Sequence, residues 1–425
     1  MRYKHRCIGV FLAVIGSALL TISGTAQTPE TLPDTLTLET ATERFLRRNL
    51  AIEAGRLQVT RAEADRVAAR LRPRPSVNLG AENLRIAGPT PFNQLYEAVA
   101  VITQPLEFGG QRQARKELAE VGISAAEAQL TNTIRQRQLD LRRAFYEALL
   151  AQALLLLETS NQTNFVELVR YNSVRLQEGE ISPGEALKVR LEKIKYDSSV
   201  ANSQLAVRQA KVRLLELLGE TDFSGLERLE IRDRFEFADY PADLAALKQS
   251  ALENRTELKV AEAEVSRAQA ALRFERARSS GQVAPYAGYR RVGRDNTVVA
   301  GVTVPLPFGN RNQGEIARAE AEQKIAENVL LQTRNRTVAE VESAYLAYAT
   351  AKEQVKAFEA GVLTQADESR DITLLSYREG ATDLVNLLDA QRTRNEIRAA
   401  YYRSLQAYFF SLFQLELVTG VEIRK

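Results

Sequence analysis

The side chains that carry most polar chemistry are nearly missing from this chain. It has one His, one Cys and one Met, and His5, Cys7 and Met1 all fall within the first 26 residues. That stretch has the order of a secretion signal. Arg2, Lys4 and Arg6 precede a mostly apolar run from Ile8 to Ile22, and Gly24-Thr25-Ala26 then offers small residues for cleavage before Gln27. Cys7 precedes the apolar run, whereas a lipid-accepting cysteine follows it. A chain that starts at Gln27 keeps no imidazole, thiol or thioether. It can build no Ser/His or Cys/His catalytic pair, no disulfide in an oxidising compartment and no soft metal site. Carboxylates are plentiful, but no paired set of them stands out. The expectation is a protein that is not an enzyme and holds no cofactor and no resident metal.

Charge narrows the class further. Lys and Arg number 57 against 54 Asp and Glu. Three of the bases lie in the signal, so 54 face 54 afterwards. That balance carries no basic footprint for nucleic acid. Later apolar runs, such as Ala148 to Leu157, are too short for a membrane helix and are broken by Gln152. Membrane passage would have to use the strands of a closed barrel.

The elements that would hold such a function come in two copies. Gln104-Pro105-Leu106-Glu107-Phe108-Gly109-Gly110 recurs as Val304-Pro305-Leu306-Pro307-Phe308-Gly309-Asn310, an offset of 200. Leu141, Ala148 and Leu155 match Val341, Tyr348 and Val355 at the same offset. It then drifts by one, so that Gln177-Glu178-Gly179 matches Arg378-Glu379-Gly380. Asn49 to Arg70 resembles Asn254 to Arg273 in its helical pattern. Pro75 and Pro285 each open a strand-like stretch.

All twelve prolines lie outside 106–182 and 308–425, which permits long helices there. Ile134, Leu141, Ala148 and Leu155 recur every seven residues, as do Val341, Tyr348, Val355 and Val362. That spacing lines an apolar seam. Helix over about 110–178 would span roughly 100 Å at 1.5 Å per residue. Rods of that length need lateral partners. Turns follow near 179–184 and 380–382, with Gly179 and Gly380 at helix ends. Ser182, Pro183 and Glu185 form the opening of a new helix, Ser182 as N-cap and Glu185 completing a capping box. Thr382 is the N-cap candidate in the second copy. The return helices run over about 185–218 and 383–418.

A strand pair precedes each long helix, over about 75–104 and 282–304. Val77, Leu79 and Ala81 share one face, as do Tyr96, Ala98, Ala100 and Ile102, and Val298, Ala300, Val302 and Val304. Gly88-Pro89-Thr90-Pro91 and Gly293 to Asn296 are the loop tips. Period-two alternation suits strands with lipid on one side and a lumen on the other. Four strands are too few to close a barrel, so several chains must share one. The organisation expected is a signal at 1–26, a first repeat at 27–219, a connector at 220–250 with Phe223, Leu226, Leu229, Ile231, Phe235 and Phe237, and a second repeat at 251–425.

These features, the repeated strand-to-helix motif above all, resemble the TolC-like outer-membrane efflux protein family over essentially all of the chain after the signal. Gly301 to Gly314 and Gln104 to Arg112 look like the corresponding stretches of its CzcC-like branch, associated with heavy-metal cation efflux. The resemblance implies a mainly α fold with membrane β: long antiparallel helical hairpins form a periplasmic tunnel, and a homotrimer shares a twelve-stranded outer-membrane barrel. It implies a passive duct that docks onto a periplasmic adaptor and an inner-membrane RND-type pump. It implies a closed tip at the turns Gly179 and Gly380, below strand-to-helix junctions at Pro105, Gly109, Pro305 and Gly309. The family's two constriction acids fall here on Asn386 and Asp389, an amide replacing the first carboxylate, so a double acidic ring is in doubt. Asp389 alone could form a single ring of three; as a bare sequence feature it equally fits a solvated helix acid. Glu185 matches a position that helps lock the tip, with Tyr377 and Arg378 as candidate partners; ordinary surface pairs are the other reading. The alternative function is a periplasmic coiled-coil adaptor or scaffold outside the membrane, which explains the hairpins and the signal but not two alternating strand pairs.

Overall fold

A computed structural model describes residues 34–84, 86–306 and 308–424; the signal expected at 1–26 lies outside them. The chain runs β1 (Thr35–Leu36), α1 (Leu38–Arg48), α2 (Leu50–Arg70), β2 (Ser76–Glu82), the single turn α3 (Phe92–Leu95), β3 (Glu97–Thr103), β4 (Leu106–Glu107) and α4 (Gln111–Gln177). It continues with α5 (Pro183–Leu217), β5 (Glu230–Ile231), α6 (Leu244–Asn254), α7 (Thr256–Arg278), β6 (Gln282–Val292) and β7 (Asp295–Thr303). The last elements are α8 (Gln313–Ala357), a π-helical turn (Phe358–Val362), α9 (Leu363–Arg378) and α10 (Leu384–Thr419). The same order, short helix then strand pair then long helical hairpin, thus occurs twice.

α4 has 67 residues in one unbroken helix, about 100 Å at 1.5 Å per residue. α5 returns beside it, and α10 returns beside α8 and α9. α2 and α7 flank the upper part of α4, and α7 also packs on α8. Among the described residues no helix is long and apolar enough to cross a membrane.

β2, β3, β6 and β7 form one antiparallel sheet, with β3 pairing β6 to join the two hairpins. β4 pairs the start of β6, so β3 and β4 are one strand interrupted at Gln104-Pro105. Pro285 does not open a strand; it sits inside β6. The Gln104 amide donates to the Pro285 carbonyl at 3.0 Å. Neither Pro105 nor Pro285 has an N–H to return, and the ladder gaps there.

The main core lies where the helices meet the connector. Tyr146, Phe409, Phe413 and Phe235 pack ring against ring. Tyr408 donates to the Ala238 carbonyl at 2.6 Å and Tyr348 to the Tyr240 carbonyl at 2.5 Å, pinning the connector to the helices. Leu229 and Ile231 are buried there, and β5 pairs parallel with β1. Phe223 is exposed, unlike its aromatic neighbours.

Two further expectations need correction. Asp383, not Thr382, caps α10: its carboxylate accepts from the Asn386 amide at 2.8 Å. Val362 does not continue the seam of Val341, Tyr348 and Val355. Val355 is fully buried, whereas Val362 is 38% exposed. The π turn between them takes up one extra residue, with Gly361 at φ +139°. Below it the inward positions are Leu363, Ala366, Arg370, Thr373 and Tyr377, one residue out of the upper heptad. The two copies show the same slip. Leu141, Ala144 and Ala148 are buried like Val341, Ala344 and Tyr348, 200 residues on, while Phe165 is buried like Ala366, 201 residues on. The drift seen in the sequence is therefore a one-residue insertion, absorbed without rotating the helix face beyond it.

Candidate functional site

The sheet has two chemically different faces. Directly paired residues of antiparallel strands share a face. The register places Val77, Leu79, Ala81, Ala98, Ala100 and Ile102 on the same side as Pro285, Ala287, Val298, Ala300 and Val302. Val298 is 85% exposed and Leu79 75%, an apolar surface left open. At its loop end sit Tyr289, whose hydroxyl bonds Asn296, and Arg291, over the Tyr96 ring at 5.5 Å. Tyr96 is outside β3, stacked on Phe92 at 5.0 Å. At the other end Leu306 and Phe308 are exposed. An apolar band bounded by aromatic residues is what a lipid-facing barrel wall requires.

The opposite face carries Ser76, Asn78, Glu82, Glu97, Tyr286, Arg290, Asp295 and Thr297. Arg290 is ion-paired to Glu97 across β3 and β6. Val99, Val101, Val292 and Val299 share this face, which is mixed where the other is apolar, and its charged and polar groups suit water.

The two strand-to-helix junctions differ in crowding. Gly109 has φ +64°, and a Cβ there would fall 1.8 Å from the Ser280 hydroxyl. Gly309 has φ +87° with open space around it. α4 starts at Gln111, directly after the motif, but α8 starts only at Gln313, preceded by Asn312 at φ +63°, whose side-chain amide bonds Glu275 and does not cap the helix. Pro105 sits at the gap between β3 and β4, and Pro305 follows β7 and lies against Gly281.

At the far ends of the hairpins, α4 stops at Gln177 and α9 at Arg378. Gly179 and Gly380 take φ +77° and +75°. The amide of Glu180 donates to the Arg175 carbonyl at 2.9 Å and that of Ala381 to Ser376 at 2.8 Å, closing both ends alike. Ser182 and Glu185 form the reciprocal capping box that opens α5. Glu185 is engaged there and bonds neither Tyr377 nor Arg378.

The tie between the two hairpins uses other residues. The Tyr377 hydroxyl donates to Asn172 Oδ1 at 2.5 Å, and both side chains are buried. The Asn172 amide donates in turn to the Leu168 carbonyl. Tyr171 donates to the Arg378 carbonyl at 3.2 Å, so Arg378 takes part through its backbone. Arg175 lies 5.6 Å from the Tyr171 ring centre and 5.5 Å from that of Tyr377, and bonds Glu180 at 3.0 Å. Burial pushes the Tyr377 phenol above its ordinary pKa, so it stays a neutral donor. Val189, Leu384 and Leu387 pack around Tyr377. Asn172, Tyr171 and Arg175 were not singled out from the sequence; a polar residue on the inward face of a long apolar helix was the available signal.

Asn386 and Asp389 stand one turn apart on the exposed side of α10, opposite Leu384 and Leu387. Asn386 donates to Thr382 at 3.2 Å, and Asp389 pairs with Arg392 on its own helix. Among the described residues no cluster of three or more acids, His or Cys has metal-holding geometry.

The sequence profile of the outer membrane efflux protein family matches the chain twice, over residues 41–220 and 247–421. The chain belongs to that family. It is a subunit of an outer-membrane efflux channel, with its long helices in the periplasm. The adaptor reading is thereby set aside, and the family is one of channels rather than enzymes. The cobalt-zinc-cadmium resistance protein CzcC of Cupriavidus metallidurans is 26% identical over 392 residues, 91% of this chain and 90% of that protein. The nickel-cobalt-cadmium resistance protein NccC of Alcaligenes xylosoxydans is 28% identical over 328 residues, 74% of this chain and 68% of its own. The crystal structure of the CmeC outer membrane channel of Campylobacter jejuni superposes with a TM-score of 0.76 at 12% identity, covering 91% of this chain and 87% of that one; at that identity the likeness concerns the fold alone.

Proposed function

We propose that three copies of this efflux protein close a twelve-stranded barrel in the outer membrane and a twelve-helix tunnel below it. The carrying observation is the sheet: four strands, an apolar outer face, an inner face that carries the charged and polar groups, and unpaired outer edges at β2 and β7 among the described residues. Four strands enclose nothing, and roughly eight are needed for even a filled barrel. An open edge in lipid would leave backbone groups unsatisfied at several kcal/mol each. Two open edges per chain fit a ring of identical copies. The mass of the detergent-solubilised protein tests this. Three chains per particle are expected, and a stable monomer overturns it.

The cargo proposed is divalent metal cations of the cobalt, zinc, nickel and cadmium group. The names of CzcC and NccC support this, as does the long matched length of both relatives. Nothing in the wall needs to bind the ion, since a passive aqueous duct only has to let it pass. Energy then comes from an inner-membrane RND-type pump, reached through a periplasmic adaptor docked at the turns Gly179 and Gly380. Loss of the gene should sensitise its host to these metals. Sensitisation to organic compounds alone would overturn the cargo assignment.

The hairpin ends form the gate in this reading. Tyr377, with Asn172, Tyr171 and Arg175, holds the second hairpin against the first. Asp389, three times repeated, lines the constriction.

A further inference from the structure

We propose that the π turn at Gly361 is a slip joint that lets the second hairpin bend when the tip opens; the proposal rests on the gate reading above. The two hairpins are alike in length, turn and seam, yet only the second is interrupted. α4 runs unbroken from Gln111 to Gln177, whereas α8 and α9 meet at Phe358–Val362. There the Leu363 amide reaches back to the Phe358 carbonyl, and Gly361 takes φ +139°, ψ −12°. Only glycine holds that conformation without strain. Nothing crowds it: a Cβ would find only the Gln365 amide, 3.7 Å away. Packing therefore does not demand a glycine here. The conformation does.

Gly361 lies between two points where this helix is fixed to α10, the upper one on the first two residues of the turn itself. Above, Tyr401 donates to Glu359 at 2.9 Å and packs edge-on to Phe358. Below, Arg394 and Arg398 both donate to Asp367, at 2.7 and 3.0 Å. When two packed helices bend together, the path along one must lengthen relative to the other. For axes about 10 Å apart, a bend of about 9° needs about 1.5 Å, the rise of one α-helical residue. The turn holds one residue more than an α turn and kinks at the non-helical Gly361, so its opening or tightening takes up part of that length. The first hairpin has no such store and acts as the fixed wall.

Two variants separate length from conformation. Deleting Gly361 restores an unbroken α-helix with Ala366, Arg370 and Tyr377 still inward. Gly361→Ala keeps the extra residue but penalises the conformation that stores it. Spin labels on Glu379→Cys, at the exposed second turn, report distances between the three tips of the trimer. Labels on Glu178→Cys, at the first turn, serve as the reference. In Tyr377→Phe trimers the Glu379 distances should be broad. Deletion of Gly361 in that background should narrow them and cut the single-channel conductance several-fold, leaving the Glu178 distances unchanged. Gly361→Ala should broaden the Glu379 distances even with Tyr377 intact. Unchanged Glu379 distances after the deletion, in trimers of normal mass, overturn the slip joint. Failure of Tyr377→Phe to raise conductance strikes the gate reading instead, while the distances still decide the joint.

Discussion

The Tyr377 hydroxyl and Asn172 Oδ1 meet at 2.5 Å between the two helical hairpins, buried just above the turns that end them. Phenylalanine at 377 would keep the packing against Val189, Leu384 and Leu387 but strip Asn172 of its donor. A buried acceptor left unpaired costs about 1–3 kcal/mol. Tyr377→Phe should therefore loosen the tip and raise conductance in planar bilayers, with trimers intact. Wild-type conductance in that variant would count against the lock.

Asp389 is exposed and paired only with Arg392 of its own helix, a contact of small energy. In the constriction proposed above its charge acts on the lumen. Asp389→Asn should lower cation selectivity, read as a shift of reversal potential towards zero in a salt gradient. Asn386→Asp should move it the other way. An unchanged potential in both would make Asp389 an ordinary surface acid.

Gly179 and Gly380 have open space around them, so substitution there is limited by backbone and not by contact. Any other residue pays about 1–2 kcal/mol for the left-handed conformation. Valine at either position should distort the turn and abolish efflux while the trimer survives. Normal efflux from these variants would argue against docking at the turns.

Asp367 offers a pH test. The Arg398 and Arg394 guanidiniums hold its pKa below the ordinary 3.8. A depressed carboxylate contributes stability that is complete above its unfolded pKa and is lost as pH falls through the folded one. The clamp should therefore hold at neutral pH and release only below about pH 3.8. Hydrogen exchange in α9 should rise there, and Asp367→Asn should show the fast exchange already at neutral pH.

The two sheet faces predict opposite tolerances. Ala300 faces outward and Val299 inward. Arginine at 300 should cost about 2–4 kcal/mol if it lies near the bilayer midplane, seen as reduced folding into liposomes. Arginine at 299 should fold. Equal behaviour of the pair would contradict the assignment of the faces.

Much of this architecture was legible in the amino-acid order, because it follows from local and periodic properties. The alternation of Val77, Leu79 and Ala81, the capping box of Ser182 and Glu185, and the turn glycines Gly179 and Gly380 each act within a few residues of themselves. The repeated Pro-Leu-x-Phe-Gly motif marked both handovers from strand to helix. One assignment stayed out of reach because it depends on another element. Asn172 is one amide among many until the fold sets it against Tyr377, more than two hundred residues away. Glu185 carried two readings in the sequence, cap and lock, and within one chain it makes the local bond to Ser182.

The slip of one residue between the two copies was present in the sequence as a number without a place. A heptad count runs through Val362 because it knows only spacing. Tertiary packing decided otherwise: Val355 and Tyr377 are both buried and stand one residue further apart than three heptads, so a heptad seam keeps both inward only by absorbing one residue between them. The helix opens a π turn at Gly361, where the backbone conformation costs least.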